Sequence, residues 1–594
     1  MLCKTRSTIS ILAAVLSAAL PAGAAGALPK ANSTIFGPNV YVFEPNMPAG
    51  DIEKIANDIF SKMEANEFGP ERYALLFKPG KYDVTFNVGF YTHVAGLGQN
   101  PDDVQINGGV NVNAKWMPDG NATCNFWRTL ENFAVTPSKA SKGVTRIAVS
   151  QAAPLRRLHV KGELHLFDFG PNWNAGWASG GFLADSVVDG KVVPASQQQW
   201  LSRNSNWSQW TNAVWNMVFV GCVNTPTGAF PNPAYTVVDK TPVIREKPYL
   251  YIDKSGDYRV FVPALKTDVK GVSWLTGPTP GESISIDRFH IAQPGESTAK
   301  SINTALAEGK HILFTPGVYS LDDTLRITKA DTIILGLGVP SLIPKKGQPT
   351  LSLADVGGVK IAGLILEAGP VKSPTLLEVG PADSKANHST NPTFLYDLTV
   401  RTGGPAPGKN DVGIQINSNN VVGDQLWIWR ADHGGGAGWR SNPTKNGLVV
   451  NGKDVTIYGL FNEHHEEYQT IWNGNGGRVY MYQSEMPYDV PDQASWMSGK
   501  TNGYASYKVA DNVTSHEAWG VGVYSFFRDA PVKAHSAIEA PAVPGVKLHH
   551  LTSVWLNGKA GSEITHVIND SGGRVHAGKP AEAMRQTLVE FPGK

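Results

Sequence analysis

One module occurs twice in this chain, and it constrains the fold more than any other feature. Asp51-Ile-Glu-Lys-Ile-Ala-Asn-Asp-Ile-Phe60 carries apolar residues at helical spacing. It leads into Leu75-Leu-Phe-Lys-Pro-Gly-Lys-Tyr82 and then into Gly96-Leu97-Gly98. The order returns with Thr298-Ala-Lys-Ser-Ile-Asn-Thr-Ala-Leu306, Ile312-Leu-Phe-Thr-Pro-Gly-Val-Tyr319 and Gly336-Leu337-Gly338. Both copies therefore read helix, strand, Phe-X-Pro-Gly-X-Tyr, strand, Gly-Leu-Gly. A short amphipathic helix in this place covers the open end of a strand stack, which otherwise exposes unpaired backbone groups. Short β-branched runs broken by Gly and Asn follow each copy, as in Val359-Lys-Ile-Ala-Gly-Leu-Ile-Leu366 and Val455-Thr-Ile-Tyr-Gly-Leu-Phe461. That is the pattern of a parallel β-helix. A pair of β-sandwiches would show closer-spaced hairpin signals and would leave the duplicated helix unexplained.

The expected architecture is all-β: two side-by-side right-handed parallel β-helices, each with a short N-terminal capping helix. The first is placed at 45–225 and the second at 293–570. A Pro-rich crossover at 226–292 joins them, and a C-terminal tail occupies 571–594. Residues 1–27 read as a signal peptide: Lys4 and Arg6, an apolar Ile9–Leu20, then a small-residue zone from Ala22 to Ala27. The expected location is secreted and extracellular, with no membrane association, since no later apolar stretch is long enough to span. With Cys3 in the leader, Cys124 and Cys222 remain. They are compatible with one disulfide or with two buried thiols. Asn-X-Ser/Thr triplets at Asn32, Asn121, Asn206, Asn387, Asn512 and Asn569 would make a glycoprotein only in a eukaryotic host. A net charge of +1 without basic runs excludes nucleic acid as a partner, and a monomer is expected.

The second half concentrates acids and aromatics in Phe461-Asn-Glu-His-His-Glu-Glu-Tyr-Gln-Thr-Ile-Trp472 and Val479-Tyr-Met-Tyr-Gln-Ser-Glu-Met-Pro-Tyr488. Glu463 and Glu485 are 22 residues apart, about one coil of a β-helix, so their backbones can stack roughly 5 Å apart on one face. Two carboxyls that close repel each other's charge and keep one protonated near neutrality, which suits general-acid chemistry on a glycosidic bond. Solvated glutamates on neighbouring coils are the plainer alternative.

Here the residues show a resemblance. Trp429-Arg-Ala-Asp-His-Gly434, Gly447-Leu-Val-Val-Asn-Gly452, Val455–Phe461, Glu463-His464, Tyr468-Gln469 and Gln483-Ser-Glu-Met-Pro-Tyr488 resemble glycoside hydrolase family 55. The first half joins in at Val149-Ser-Gln-Ala152 and Ser179-Gly-Gly-Phe182. The family comprises β-1,3-glucanases with two pectate-lyase-like β-helices. The resemblance implies Glu485 as general acid and Glu463 as a carboxylate that holds the attacking water. Gln151 and Ser179 then orient that water, and cleavage inverts the anomeric centre. It further implies a β-glucan polysaccharide as substrate. In this chain Ala148-Val149-Ser150 precedes Gln151, where the family often carries a second glutamine.

Trp429, Asp432 and His433 are candidates for the substrate cleft, with a buried turn network as the alternative for the polar pair. Trp472, Trp519 and Tyr524 are candidates for sugar-stacking platforms, with core packing as the alternative. His464 and His465 are adjacent, so on a strand they point to opposite faces, and no metal is expected there. No cofactor is expected. A β-helix polysaccharide lyase and a non-catalytic glycan-binding wall protein are the competing readings. A lyase acting on uronates needs cations near the acids, and this zone is poor in them.

Overall fold

The duplicated motif owes its residues to one close approach. In each copy the glycine passes beneath the end of the preceding coil. A Cβ on Gly80 would lie 2.2 Å from Pro45 Cγ, and one on Gly317 would lie 2.5 Å from Pro294 Cγ. The tyrosine that follows closes the corner in the same way twice. Tyr82 Oη donates to the carbonyls of Phe43 at 3.0 Å and Lys78 at 2.8 Å. Tyr319 Oη reaches the carbonyls of Ala292 and Thr315, both at 2.8 Å. The bonds to Phe43 and Ala292 reach the preceding rung, while those to Lys78 and Thr315 close the motif's own turn.

From these corners the rungs accumulate. The computed structural model describes residues 34–578 and 583–593, so the expected leader at 1–27 lies outside the described residues. In the first β-helix Tyr41, Leu75, Val94, Leu130 and Leu155 stand one above the other on parallel strands, all buried. In the second, Leu398, Leu426, Leu460, Tyr482, Val521 and Leu551 do the same. Such columns bury apolar side chains coil against coil, while each rung satisfies its backbone on its neighbours. The helices Ala49–Met63 and Ala299–Glu308 lay Ile52, Ile55 and Ile59, and Ile302 and Leu306, over the first rungs. The second helix starts on a Thr298 cap whose hydroxyl accepts from Ser301 N at 3.1 Å, and ends on Gly309 in the left-handed region.

The segment boundaries differ in detail from the expected ones. The first β-helix carries a further parallel rung, Tyr235–Val238, past residue 225, and the second begins at Phe289–Ala292. Between them Tyr249–Ile252, Tyr258–Pro263 and Gly281–Ser285 form an antiparallel sheet. Residues 571–594, expected as a tail, contribute Val575–His576 and Arg585–Phe591, which add antiparallel strands to the last rungs. They pair an edge that a stack of parallel coils leaves open. The Cys124–Cys222 disulfide is not formed. Cys222 is a free thiol in the first core, donating to Ser202 O at 3.3 Å and pushed up to about 12 by burial.

The two stacks share one apolar core, in which Trp427, Trp429, Tyr458 and Phe461 of the second pack with Phe126, Trp127, Phe182 and Leu201 of the first. Beside it runs a buried ionic seam. Arg156 donates to Asp397 at 2.6 Å and to Asp424 at 2.7 Å; Arg203 donates to Asp424 at 2.9 Å and to Glu246 at 2.6 Å. Lys247 of the crossover donates to Glu131 at 2.5 Å. Buried ions cost several kcal/mol each unless paired, so this seam accepts only one docking of the two stacks. Among the described residues no helix is long and apolar enough to cross a membrane.

Candidate active site

A cleft opens where the two stacks meet, and both supply its walls. The first contributes Gln151 and Ser179; the second contributes Trp427, Trp429, Asp432, His433, Glu463 and Glu485. Glu463 ends the strand Thr456–Glu463 and Glu485 ends Gly477–Glu485, the next rung, with Phe461 opposite Gln483. The one-coil separation inferred from spacing is therefore realised, and His464 N donates to Glu485 O at 2.8 Å across it. Arg430 holds both strand ends from behind. Its guanidinium grips the Asp489 carboxylate through two 2.8 Å bonds and also reaches His464 O at 3.2 Å.

The hydrogen bonds divide the work of the two acids. Trp427 Nε1, which can only donate, lies 2.9 Å from Glu463 Oε2. Gln151 Nε2 donates to Glu463 Oε1 at 3.1 Å, and Ser179 Oγ donates to Gln151 Oε1 at 3.0 Å, which orients that amide. Both Glu463 oxygens are thus acceptors, which favours its charged form against the burial and the Glu485 charge that raise it. Glu485 receives Gln483 Nε2 at 3.2 Å on Oε1 and meets the Tyr488 hydroxyl on Oε2. A hydroxyl both gives and takes hydrogen bonds, so Glu485 has a place for a proton.

Electrostatics agree with a shared proton. Burial, then the neighbouring Glu485 charge, raises Glu463 above the ordinary carboxylate range. Burial, with Asp432 adding to it, raises Glu485 to about 7. Two buried carboxyls on adjacent rungs cannot both ionise cheaply near neutrality, and they titrate as a unit. Beside them His433 sits between Asp432, at 2.8 Å, and Glu67, at 2.7 Å. Burial opposes its charge, but the two carboxylates prevail and raise it to about 10, so it is a cation. Asp432 is held below the usual range by that cation despite its burial.

The aromatic lining is only partly the expected one. Trp429 faces the cleft and packs on Trp427 at 5.0 Å, Trp127 at 5.9 Å and, ring parallel to ring, Phe68 at 6.4 Å. Trp472, Trp519 and Tyr524 do not line it. Trp472 points inward into the second core, fully buried against His516. Trp519 is stacked between Tyr480 at 4.6 Å and His549 at 5.2 Å. Tyr524 lies one rung beyond Glu485 and is buried against Trp215 at 5.0 Å. Tyr524 shares the register column of Trp429 and the two acids, so it is the packing of Trp215 from the other stack that takes it out of the cleft, which chain distance does not reveal.

Sequence reasoning missed Trp427, Tyr488 and the Glu67-Phe68 pair. Trp427 had a readable signal, since it lies two residues before Trp429 and so on the same face of one strand. Tyr488 stands inside the motif that carries Glu485. Nothing in the chain couples Glu67 and Phe68, in the turn after the first capping helix, to residues more than three hundred positions away.

Comparison with known proteins decides the family. The LAM55 pectate lyase-like domain model matches residues 289–485. An exo-beta-1,3-glucanase of Streptomyces sp. (strain SirexAA-E / ActE) is 50% identical over 538 residues, which cover 90% of this chain and 87% of that one. The chain belongs to glycoside hydrolase family 55. The structure of sacteLam55A from Streptomyces sp. SirexAA-E superimposes with a TM-score of 0.89 at 48% identity, covering 94% of this chain and 99% of that chain. A variant of that protein in complex with glucose gives 0.90 at 47% identity, over 95% and 99%. As a member of family 55 this protein is a glycoside hydrolase built on paired pectate-lyase-like β-helices. The pair of acids at the interface of the two stacks is where its chemistry is to be sought.

Proposed function

We propose that this protein is a secreted, exo-acting β-1,3-glucanase that inverts the anomeric centre, with Glu485 as general acid and Glu463 holding the attacking water. The observation that carries the roles is the single donor on each Glu463 oxygen, Trp427 on one and Gln151 on the other, with Ser179 behind the glutamine, which leaves further lone pairs for a water. With the shared proton on Glu485, a carboxylate so held presents a fixed acceptor to a water, while Gln151 and Ser179 supply further polar groups for the same water. Placing that water contributes more than basicity does, because effective molarity comes from orientation. Glu485, raised toward neutrality, retains a proton to deliver to the departing oxygen. Substrate and exo action are supported by the relative's name and by the half of the sequence shared with it. Trp429 offers a face for a sugar ring, and Asp432 offers acceptors for its hydroxyls.

A lyase acting on an acidic glycan finds little support, because among the described residues no Lys or Arg lines the cleft and His433 is already neutralised by two carboxylates. Export rests on the leader-like residues 1–27. The test of mechanism is NMR of the first product released from laminari-oligosaccharides by the full chain. The α-anomer of glucose should appear first and then mutarotate; the β-anomer first would refute inversion. Amino-terminal sequencing of the protein from host culture supernatant tests export, with retention in the cells as the contrary result.

A further inference from the structure

The last rungs of the second β-helix bring two imidazoles and a carboxylate together on its outer side. His535 lies on the strand Lys533–Glu539 and His566 on its parallel neighbour Glu563–Ile568, where Ser536 stands opposite His566. Asp570 follows in the tight turn closed by Ile568 and Ser571. One ligand atom from each residue lies within 4.8 Å of the other two. None of the three lines the catalytic cleft.

Their hydrogen bonds prepare them for an ion. His566 Nδ1 lies 3.0 Å from His535 O, and a carbonyl can only accept, so the proton of the neutral ring resides on Nδ1. That leaves the Nε2 lone pair free and the ring oriented, which is how metal-binding histidines are usually held. His535 Nε2 lies 3.2 Å from Asp570 Oδ1. Ligands on arms of about 2.0–2.1 Å around a tetrahedral ion stand roughly 3.3 Å apart, so this pair already has the required spacing. The turn bearing Asp570 is pinned to the preceding rung. Asn569 N donates to Ile538 O at 2.9 Å, and its side-chain amide bonds Ala540 N at 3.1 Å and Ala540 O at 2.8 Å. Two ligands therefore sit on strands and the third on an anchored turn, leaving only side-chain rotation to close the set.

We propose that His535, His566 and Asp570 form a binding site for one divalent transition-metal ion, zinc fitting best, that cross-links the final coils of the second β-helix. Two nitrogens and one carboxylate oxygen with a water in the fourth place suit zinc, whereas calcium and magnesium prefer all-oxygen sets. The other grouping of this kind, Glu67, Cys124 and His433, belongs to the cleft, where His433 is a cation between carboxylates.

The test uses the full chain stripped with chelator. Zinc titration by calorimetry and thermal unfolding with and without zinc are run on wild type, His535→Ala/His566→Ala and Asp570→Asn. Wild type should bind about one zinc at micromolar concentration and unfold at a higher temperature with it. The double variant should lose both effects while hydrolysing glucan as wild type does, and Asp570→Asn should bind at least about tenfold more weakly. Calcium should not substitute. Absence of binding by wild type at about 100 µM zinc, or equal binding by the double variant, overturns the proposal.

Discussion

Glu485→Gln separates stability from chemistry in a way the site geometry makes quantitative. The substitution keeps the side chain's shape and its bonds to Gln483 and Tyr488 but removes an ionisable group from a fully buried position. Burial moves this carboxyl from its ordinary 4.5 to about 7. At roughly 1.4 kcal/mol per tenfold in proton affinity, that displacement is worth about 3 kcal/mol. The sign follows from linkage. The folded protein keeps a proton that the unfolded chain releases between about pH 4.5 and 7, so wild-type stability falls as pH rises through that window. The variant lacks this loss, and it also relieves Glu463 of a neighbouring charge. Chemical denaturation should therefore find the two proteins similar near about pH 4 and the variant more stable by about 3 kcal/mol near about pH 8. Hydrolysis of β-1,3-glucan should meanwhile fall by about 10²–10⁴. On an aryl glucoside with a very good leaving group, Glu485→Gln should recover much more than Glu463→Gln, whose defect is a misplaced water. A variant no more stable than wild type at alkaline pH, or a gap independent of pH, would show that Glu485 is not the strained acid. Equal recovery of both variants would refute the division of roles.

Further outcomes are expected. The rate profile should be bell-shaped, because the Glu463–Glu485 pair works with one proton between its members and fails at low pH when both are protonated and at high pH when both are ionised; a flat profile between about pH 5 and 9 contradicts the shared-proton pair. Gln151→Ala should lower kcat with little change in KM, since it removes a bond to Glu463 without touching the Trp429 face; steady-state kinetics on laminari-oligosaccharides decide this. Asp424→Ala removes one of the two buried carboxylates that each of Arg156 and Arg203 holds, leaving Asp397 and Glu246, and should cost about 3 kcal/mol of stability by denaturant titration, whereas an exposed pair such as Lys54–Asp58 should cost under about 1 kcal/mol. Trp472→Ala should destabilise by about 3–5 kcal/mol with KM unchanged, while Trp429→Ala should raise KM, so a KM effect at Trp472 argues against its place in the core.

What the sequence determined by itself lies in features that repeat or that are local. Helix, Phe-X-Pro-Gly-X-Tyr and Gly-Leu-Gly recur because each copy solves one local problem, starting a stack of coils, and Gly80 and Gly317 meet the same steric demand in both halves. The one-coil spacing of Glu463 and Glu485 was readable because a rung has a nearly constant length in residues. Only the tertiary structure decided which faces meet across the two stacks. Trp472, Trp519 and Tyr524 carry the same aromatic chemistry as Trp429, yet Trp472 points into the second core, Trp519 is held in a ring stack, and Tyr524, in register with Trp429 and Glu485, is covered by Trp215 of the other stack. Gln151 and Ser179 line the cleft from the other β-helix, Glu67 and Phe68 hold its His433 and Trp429 from there, and no periodicity within a stack encodes its docking partner. That docking depends on shape and on a buried charge pattern, Arg156 and Arg203 against Asp397 and Asp424, whose members are far apart in the chain and become one unit only when water is excluded between the stacks.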